Sequence, residues 1–332
     1  MKIKLATIAL LASLGSASIV HACTSVAWNT ELGTFTSRTN DWVEATQPAL
    51  SSILKGAERS TQGYGNGDSY IVKYDIVAIL AYGDLMHDGM NSEGLQVNSL
   101  FYNPMTMKPA SKPSSISQFV FGEYIVANYA SVEEAVTTIP LLNLGHVSLD
   151  GMPMDIKLHW SITDKSGDRA VIELDQEGIN IYRGEEAMIM TNDPSMKEHL
   201  NNREEVVDSW QDADRDTKFG SYGNPNAESR FIHAGYFQSK LSAPTSIQNG
   251  MMKVSTVPYR VPTDAPYKDF GNGMSGYATE WTLTQSLATG DSVFEYNFDE
   301  NWNTVRFNVY ELMGKEFRYE LATNNISELS ID

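Results

Sequence analysis

Residues 20–24 read Val-His-Ala-Cys-Thr, and they contain the only cysteine in a chain of 332 residues. The segment before them has a short basic start and then an apolar run, interrupted by small residues, that ends at Val20. Val20 and Ala22 occupy the two small-residue positions that a signal peptidase reads. The segment is too short and too interrupted for a membrane-spanning helix, which needs about 20 apolar residues. The sequence therefore predicts a signal peptide over residues 1–22 and a mature protein that begins at Cys23.

Three interpretations of Cys23 follow from this position. The thiol can be a spare buried group, a lipoprotein cysteine that carries an acyl anchor, or an N-terminal nucleophile. Ala22 fits the lipoprotein pattern, whereas Val20 is a weak substitute for leucine and His21 fits poorly before Ala22. In the third interpretation the thiol and a free α-amine sit on one carbon atom, and the rest of the chain must distinguish it from the other two.

The composition excludes several classes of partner. Removal of residues 1–22 leaves 310 residues and changes the formal charge from −18 to −20, since the leader carries two lysines and no acid. An acidic surface argues against nucleic acid, whose phosphates need clustered Lys and Arg, and against an anionic membrane after cleavage. One cysteine cannot form an internal disulfide, so its presence in an exported protein raises the question of a function.

The order of the predicted elements indicates a single α+β domain over residues 23–332. Cys23 opens a predicted β-hairpin, and strands, two helices, strands, two helices and strands follow. Ser131 and Glu134 have capping-box spacing at the start of the second helix. Two antiparallel sheets stacked between two helical layers, a four-layer αββα sandwich, would bury all of these faces.

An N-terminal cysteine can supply its own base. An α-amine has a pKa near 8, so part of it is neutral at neutral pH and can accept the thiol proton, directly or through one water. A nearby cation favours the thiolate. Transfer of an acyl group also needs donors for the oxyanion, each worth roughly 2.7–4 kcal/mol.

An ordered set of motifs resembles the choloylglycine hydrolase family of penicillin V acylases and conjugated bile salt hydrolases. No single motif is decisive, but together they cover most of the mature chain in order. The motifs are Cys23-Thr24, Ser37-Arg38-Thr39-Asn40-Asp41-Trp42, Asn91-Ser92-Glu93-Gly94-Leu95, the stretch from Leu158 to Gly167, Ile189 to Pro194, and Ser229-Arg230-Phe231. The family belongs to the N-terminal-nucleophile hydrolases, and the resemblance implies their αββα fold.

The resemblance also implies a catalytic centre. Cys23 would be the nucleophile, with its α-amine as the base. Arg38 would support the thiolate, and Asp41 would accept a hydrogen bond from the α-amine and orient it. Asn192 would offer its side-chain amide to the oxyanion, and Arg230 would complete the charged network. Each residue also has a structural interpretation, since an Arg-x-x-Asp sequence is common as a surface ion pair and an Asn before Asp-Pro is a usual turn residue.

The family's second oxyanion donor is a backbone N–H, which maps to Phe101 here, or to Tyr102 if the register differs by one. Members often carry Asn or Tyr at that place. The Phe101 side chain has no hydrogen-bonding group, so only its backbone N–H can act as the donor. We expect Trp42, Phe101, Tyr102 and the loop 141–154 to contribute to the substrate pocket. His159 precedes a tryptophan in a predicted strand and is interpreted as structural.

The sequence thus predicts an exported cysteine amidohydrolase that needs no metal or cofactor, because no metal-ligand spacing or phosphate loop is present. The leader resembles that of Gram-negative-type members, which predicts a periplasmic enzyme. That branch favours N-acyl substrates such as phenoxymethylpenicillin or acyl-homoserine lactones over conjugated bile salts. A homotetramer is expected from the family, although the loop 211–225 can differ from its assembly segment. The alternatives are a lipid-anchored binding protein and a family member that binds acyl amides without hydrolysing them.

Overall fold

The structure is a computed structural model that describes residues 23–42, 44–110, 112–149, 155–176, 178–211, 220, 226–262, 278–298 and 301–321. The predicted leader, residues 150–154 of the predicted pocket loop and most of the loop 211–225 lie outside the described residues. Along the part of the chain that is described, no helix is long and apolar enough to cross a membrane.

Strands and helices alternate in blocks, as the sequence pattern predicts. The first block consists of β1 (Thr24–Thr30), β2 (Gly33–Trp42), β3 (Ala49–Ile53), β4 (Glu58–Ser60), β5 (Ser69–Ile71), β6 (Ile76–Ala81), β7 (Leu85–Asn91), β8 (Gln96–Phe101) and β9 (Ile116–Ser117). The middle of the chain consists of α1 (Gln118–Asn128), α2 (Val132–Thr138), β10 (Leu144–Gly145), β11 (Leu158–Thr163), β12 (Arg169–Asp175), β13 (Gly178–Arg183) and β14 (Ile189–Thr191). The last part consists of α3 (Met196–Val207), α4 (Ala227–Ser239), α5 (Ile247–Ser255), β15 (Ala278–Ser286), β16 (Asp291–Phe298), β17 (Asn301–Asn308), α6 (Val309–Leu312) and β18 (Arg318–Glu320).

Two large antiparallel sheets contain most of the strands. The six-stranded sheet has the order β14-β1-β2-β15-β16-β17, and the eight-stranded sheet has the order β13-β12-β11-β8-β7-β6-β3-β18. Small two-stranded pairs join β9 to β10 and β4 to β5. The cysteine therefore lies at the start of an inner strand, with β14 on one side of β1 and β2 on the other.

Alternation along the strands builds the layers. In β6, Ile76, Ala78 and Leu80 pack in the cluster that includes α1 and α2. Val77 and Ile79, between them, pack in a second cluster with side chains of β15, β16 and β17, because successive side chains of a strand point to opposite faces. A third cluster joins β1 and β2 to α4 and α5. The layers run helix, sheet, sheet, helix, which confirms the predicted αββα sandwich.

Candidate active site

Cys23 lies at the point where three strands meet. Thr24 pairs with Thr191 of β14 and with Thr39 of β2, so the residue before it lies beside the ends of both neighbours. The Cys23 side chain is 2 % exposed. Its Sγ accepts a hydrogen bond from the backbone N–H of Asp41 at 3.4 Å and lies 3.9 Å from Asn40 Oδ1. The hairpin of β1 and β2 thus brings the thiol to the Arg-x-x-Asp motif.

The Asp41 carboxylate is buried beside the thiol and is held by two hydroxyl groups. Thr39 Oγ1 donates to Oδ2 at 3.1 Å, and Thr279 of β15 donates to Oδ1. Burial raises the pKa of Asp41 to about 7, against the opposing effects of Arg230 and of these hydroxyls. The carboxyl of Asp41 therefore titrates much closer to neutral pH than that of an ordinary aspartate.

The guanidinium of Arg38 is held by groups other than the Cys23 thiol. Its guanidinium stacks 4.4 Å from the ring centre of Trp281, donates to Ser99 O at 3.0 Å, and its Nε lies 3.4 Å from Asp88 Oδ2. Burial raises the pKa of Cys23 to about 11, and the positive charge of Arg38 is the largest effect that opposes this shift. The thiol is accordingly protonated at neutral pH, and a nucleophilic role requires a base within reach.

Arg230 of α4 connects Cys23 to Asn192. Its guanidinium donates to Cys23 O, to Thr24 Oγ1 at 2.8 Å and to Asn192 Oδ1 at 3.0 Å. Asn192 Nδ2 in turn donates to Phe101 O at 2.7 Å. The Asn192 amide is therefore oriented, with its oxygen on Arg230 and its nitrogen turned towards β8. Residues 207 positions apart in sequence meet in one buried network.

The backbone of β8 distinguishes between the two candidates for the second oxyanion donor. The N–H of Tyr102 donates to Lys157 O at 2.9 Å, so it is directed to the strand β11 side. Successive N–H groups of an antiparallel strand alternate in direction, so the N–H of Phe101 is directed to the other side. This geometry favours Phe101 over Tyr102.

Tyr102 is a core residue rather than a wall of the pocket. It is fully buried, its ring stacks on His159 with centroids 4.6 Å apart, and its hydroxyl donates to Glu173 at 3.3 Å. We therefore do not retain Tyr102 as a substrate contact. His159 Nδ1 lies 3.2 Å from Glu173, in keeping with its structural interpretation.

A mostly apolar pocket opens beside the thiol. Trp42 and Phe101 form part of its wall, with ring centroids 5.9 Å apart. Trp42 Nε1 donates to the hydroxyl of Tyr82 at 2.5 Å, and that hydroxyl donates to Glu44. The lining residues are Cys23, Asn40, Trp42, Thr46, Ala81, Tyr82, Leu85, Met86, His87, Ser99, Phe101, Phe119, Ile156 and Leu158. None of the described residues of the predicted loop 141–154 is among them.

Several residues of the site were not predicted from the sequence. Asn40 donates to Glu280 Oε2 at 3.1 Å, and burial raises the pKa of Glu280 to about 7. Glu280 interrupts the register of β15 against β2, where Thr279 pairs with Asp41 and Trp281 pairs with Asn40. The extra residue of such a bulge re-aims its side chain. Asn40 lies in a recognised motif and was within reach of sequence reasoning, whereas the bulge leaves no local signature.

The described residues contain no group of three or more His, Cys, Asp or Glu side chains placed to hold a metal ion.

Comparison with known proteins places these residues in a family context. Residues 23–319 match the sequence model of the linear amide C–N hydrolases, choloylglycine hydrolase family. A penicillin V acylase of Pectobacterium atrosepticum is 28 % identical over 176 residues, which are 50 % of this chain and 46 % of that protein. A bile salt hydrolase/transferase of Clostridium perfringens is 27 % identical over 123 residues, 36 % of this chain and 37 % of that protein. Each match thus spans less than half the length of the curated relative.

Two solved structures share the fold. The structure of penicillin V acylase from Agrobacterium tumefaciens superposes with a TM-score of 0.76 at 23 % identity, covering 92 % of this chain and 94 % of that one. A mutant of the conjugated bile acid hydrolase from Clostridium perfringens superposes with a TM-score of 0.73 at 19 % identity, covering 93 % of this chain and 99 % of that one. At these identities the likeness establishes the αββα architecture and no more.

Proposed function

The chain belongs to the choloylglycine hydrolase family of linear amide C–N hydrolases, and from this premise we propose that it hydrolyses N-acyl amides with Cys23 as the nucleophile. In this proposal residues 1–22 are removed as a signal peptide, and the α-amine that this cleavage creates on Cys23 is the general base. The enzyme would then act in the periplasm, as the leader suggests.

The observation that carries the proposal is the convergence of the five predicted residues on one buried site. The Cys23 thiol accepts from the backbone of Asp41. Arg230 connects the Cys23 carbonyl to Asn192. Arg38 supplies the largest charge effect that favours the thiolate. A spare buried thiol has no need for two buried arginines and an oriented amide, whereas an acyl-transfer centre has a use for each of them.

The proposed reaction begins with proton transfer from the thiol. Because burial raises the pKa of Cys23 to about 11, few thiolates form without a base. A neutral α-amine, with an ordinary pKa near 8, takes the proton as Sγ attacks the amide carbonyl carbon. The tetrahedral intermediate collapses, the C–N bond breaks, and the resulting ammonium gives its proton to the leaving amine. Water then attacks the acyl-thioester while the same amine accepts its proton, the C–S bond breaks to release the acid, and the ammonium returns the proton to Sγ.

Two donors are proposed for the oxyanion of the intermediate. Asn192 Nδ2 uses one hydrogen on Phe101 O, which leaves its second hydrogen for the substrate. The backbone N–H of Phe101, turned away from β11, is the other candidate. Removal of one such donor in other enzymes costs about 2.7–4 kcal/mol of transition-state stabilisation.

The pocket supports an apolar acyl group. Leu85, Met86, Phe119 and Leu158 line it together with the Trp42 and Phe101 rings, so burial of an aryl or alkyl chain would be favourable by about 25 cal/mol per Å². We rank phenoxymethylpenicillin and acyl-homoserine lactones above conjugated bile salts. The relatives include both a penicillin V acylase and bile salt hydrolases, so both classes belong in the test.

The buried position of Sγ weighs against a lipid anchor at Cys23. A lipid anchor would attach a diacylglyceryl group to Sγ. That sulfur accepts a hydrogen bond from the backbone N–H of Asp41, and its side chain is only 2 % exposed, so the structure has little room for such a group. Intact-mass measurement of the mature protein distinguishes the two possibilities, because an anchor adds a diacylglyceryl mass to Cys23 and a free N-terminus adds nothing.

The proposal is tested by comparing wild type with Cys23→Ala on phenoxymethylpenicillin, an acyl-homoserine lactone and glycocholate. Amine release by wild type from at least one of them is expected, with kcat/KM reduced by about 1,000-fold or more in Cys23→Ala, as for other nucleophile deletions. Equal unfolding temperatures of the two proteins would show that the loss is chemical. Equal rates of release by both proteins would overturn the nucleophile assignment, and binding without release by wild type would identify a member that binds acyl amides only.

A further inference from the structure

We propose that His87 selects acyl groups that carry a hydroxyl, by accepting a hydrogen bond from that hydroxyl at Nε2. The inference rests on the proposed function, because it assigns the pocket beside Cys23 to the acyl group. It makes His87 a specificity-determining residue and assigns it no part in the bond cleavage.

His87 is a polar group in a largely apolar wall. It lines the same pocket as Cys23, and its side chain is 19 % exposed. Three other polar side chains of the pocket are bound to acids: Asn40 and Thr46 to Glu280 and Tyr82 to Glu44. These three side chains therefore already form hydrogen bonds within the protein.

One nitrogen of His87 is fixed by Asp88. Nδ1 lies 3.0 Å from Asp88 Oδ1. Asn98 Nδ2 donates to this carboxylate at 3.0 Å and the Ser99 N–H donates to it at 3.4 Å, while Arg38 Nε lies 3.4 Å away as an ion-pair partner without a hydrogen bond. A carboxylate that faces two donors and a cation acts as an acceptor towards His87 as well, so the proton of the imidazole resides on Nδ1.

The second nitrogen is consequently an acceptor. In a neutral imidazole with its proton on Nδ1, Nε2 carries a lone pair. Nε2 has no hydrogen-bond partner among the described residues, and the side chain that carries it is 19 % exposed and lines the pocket. Burial and the positive charge of Arg38 lower the pKa of His87, which favours this neutral form at neutral pH. The edge-to-face contact with Trp281, with centroids 5.4 Å apart, holds the ring.

These features define the chemistry that the pocket would recognise. An acceptor in an apolar wall stabilises a hydroxyl on an otherwise apolar acyl group. A methoxy group at the same carbon has oxygen lone pairs and no hydrogen to donate, so it would meet Nε2 unfavourably. One hydrogen bond contributes about 0.5–1.5 kcal/mol net, which corresponds to a preference of about twofold to tenfold.

The test uses anilides of one straight-chain acid: unsubstituted, hydroxylated at the second, third or fourth carbon, and methoxylated at the same carbons. For wild type we expect kcat/KM to be about twofold to tenfold higher for one hydroxylated anilide than for the unsubstituted one, and lower for its methoxy analogue. In His87→Phe this preference is expected to vanish. In His87→Gln, whose amide can donate as well as accept, the methoxy anilide should no longer be disfavoured.

Two controls separate His87 from its surroundings. Ser99→Ala removes the Ser99 hydroxyl from the pocket wall. His233→Phe makes the same substitution as His87→Phe, but at a histidine outside the pocket lining. Both variants should retain the preference for the hydroxylated anilide. The ratio of two substrates in one preparation does not depend on how much of a variant is folded. A hydroxyl preference that is unchanged in His87→Phe, lost in Ser99→Ala, or absent from wild type at every carbon overturns the inference, as does a methoxy anilide that His87→Gln disfavours as strongly as wild type does. Failure of wild type to hydrolyse the unsubstituted anilide in a Cys23-dependent way would instead count against the proposed function.

Discussion

At the scale of residues, burial and nearby positive charges have opposite effects on the pKa values of the site. Burial raises the pKa of Cys23 and the pKa of Asp41, while Arg38 and Arg230 oppose both shifts. The thiol is thus kept as a thiol until a base removes its proton, and the carboxyl of Asp41 changes charge close to neutral pH. The proposed α-amine would lie between these two groups, where it could exchange a proton with Sγ and be oriented by Asp41.

This balance predicts the acid side of the pH–rate profile. Two protonations should lower kcat/KM as the pH falls: that of the α-amine, whose ordinary pKa is near 8, and that of the orienting Asp41 carboxylate, whose pKa burial raises to about 7. Thr279 Oγ1 donates to Asp41 and lowers this pKa. Thr279→Val should therefore raise the pKa of Asp41 by about one to two units and move the acid limb to higher pH, since a hydrogen bond to a charged group is worth about 1.5–3 kcal/mol.

Thr284→Val is the matched control, because Thr284 lies on the same strand and its hydroxyl contacts Ser37 at 2.9 Å rather than Asp41. The limb of this variant should coincide with that of wild type. A limb that stays in place in Thr279→Val, or moves to lower pH, would show that Asp41 does not control the profile.

The sequence was sufficient to select five residues that the structure brings together, but not the hydrogen bonds that connect them. Cys23, Arg38, Asp41, Asn192 and Arg230 were selected because they stand in an ordered set of motifs. The hydrogen bond of Thr279 to Asp41 depends on the pairing of β15 with β2, two strands separated by most of the chain. No local pattern encodes that register, and the same holds for the contact of His87 with the pocket.

At the scale of elements, helix α5 supports the strand that carries the site. Gly250 of α5 faces Phe35 of β2, and a Cβ on Gly250 would lie 2.4 Å from Cζ of that ring. The Phe35 ring is fully buried and contacts Trp28 with centroids 6.0 Å apart. The close approach of α5 to β2 thus requires glycine at this position.

We expect Gly250→Ala to lower the free energy of unfolding by about 1–3 kcal/mol, because overpacking outweighs the gain of about 1 kcal/mol in helix propensity. Urea unfolding measures this change. Met252→Ala, at a position of α5 that is 53 % exposed, should stay within about 0.5 kcal/mol of wild type. A Gly250→Ala variant as stable as wild type would mean that α5 is not seated closely on β2.

Helix boundaries show what local patterns can and cannot predict. Ser131 caps α2 by accepting from the Glu134 N–H, as predicted, but the Glu134 carboxylate accepts from Ala130 instead of closing the box. A complete capping box is present at Ser195 and Glu198 of α3, where the sequence predicted only a helix. Both sites have the same Ser-x-x-Glu spacing, so the spacing alone does not decide which box closes.

At the scale of the whole molecule, the layers place Cys23 at the centre of the fold. β1 lies between β14 and β2 in the six-stranded sheet. Cys23 therefore lies beside the end of β14 and accepts a hydrogen bond from Arg230 of α4 at its carbonyl oxygen. The sequence predicted the blocks of strands and helices, and it also predicted the αββα order of layers that buries their apolar faces. The order of strands within each sheet was not, because it depends on pairings between distant segments. The homotetramer remains a prediction.

The central claim is that cleavage after Ala22 creates the base and that Cys23 then carries the acyl group. Acid-quenched intact-mass and peptide mass spectrometry during turnover of an N-acyl amide tests it most directly. Wild type should yield an N-terminal peptide that begins at Cys23 and is heavier by the acyl group. An Ala22→Leu precursor that retains residues 1–22 should be folded, inactive and without the adduct, because its α-amine is tied up in a peptide bond. An acyl adduct or undiminished hydrolysis in the precursor, or turnover of the substrate by Cys23→Ala at the wild-type rate, would contradict the claim.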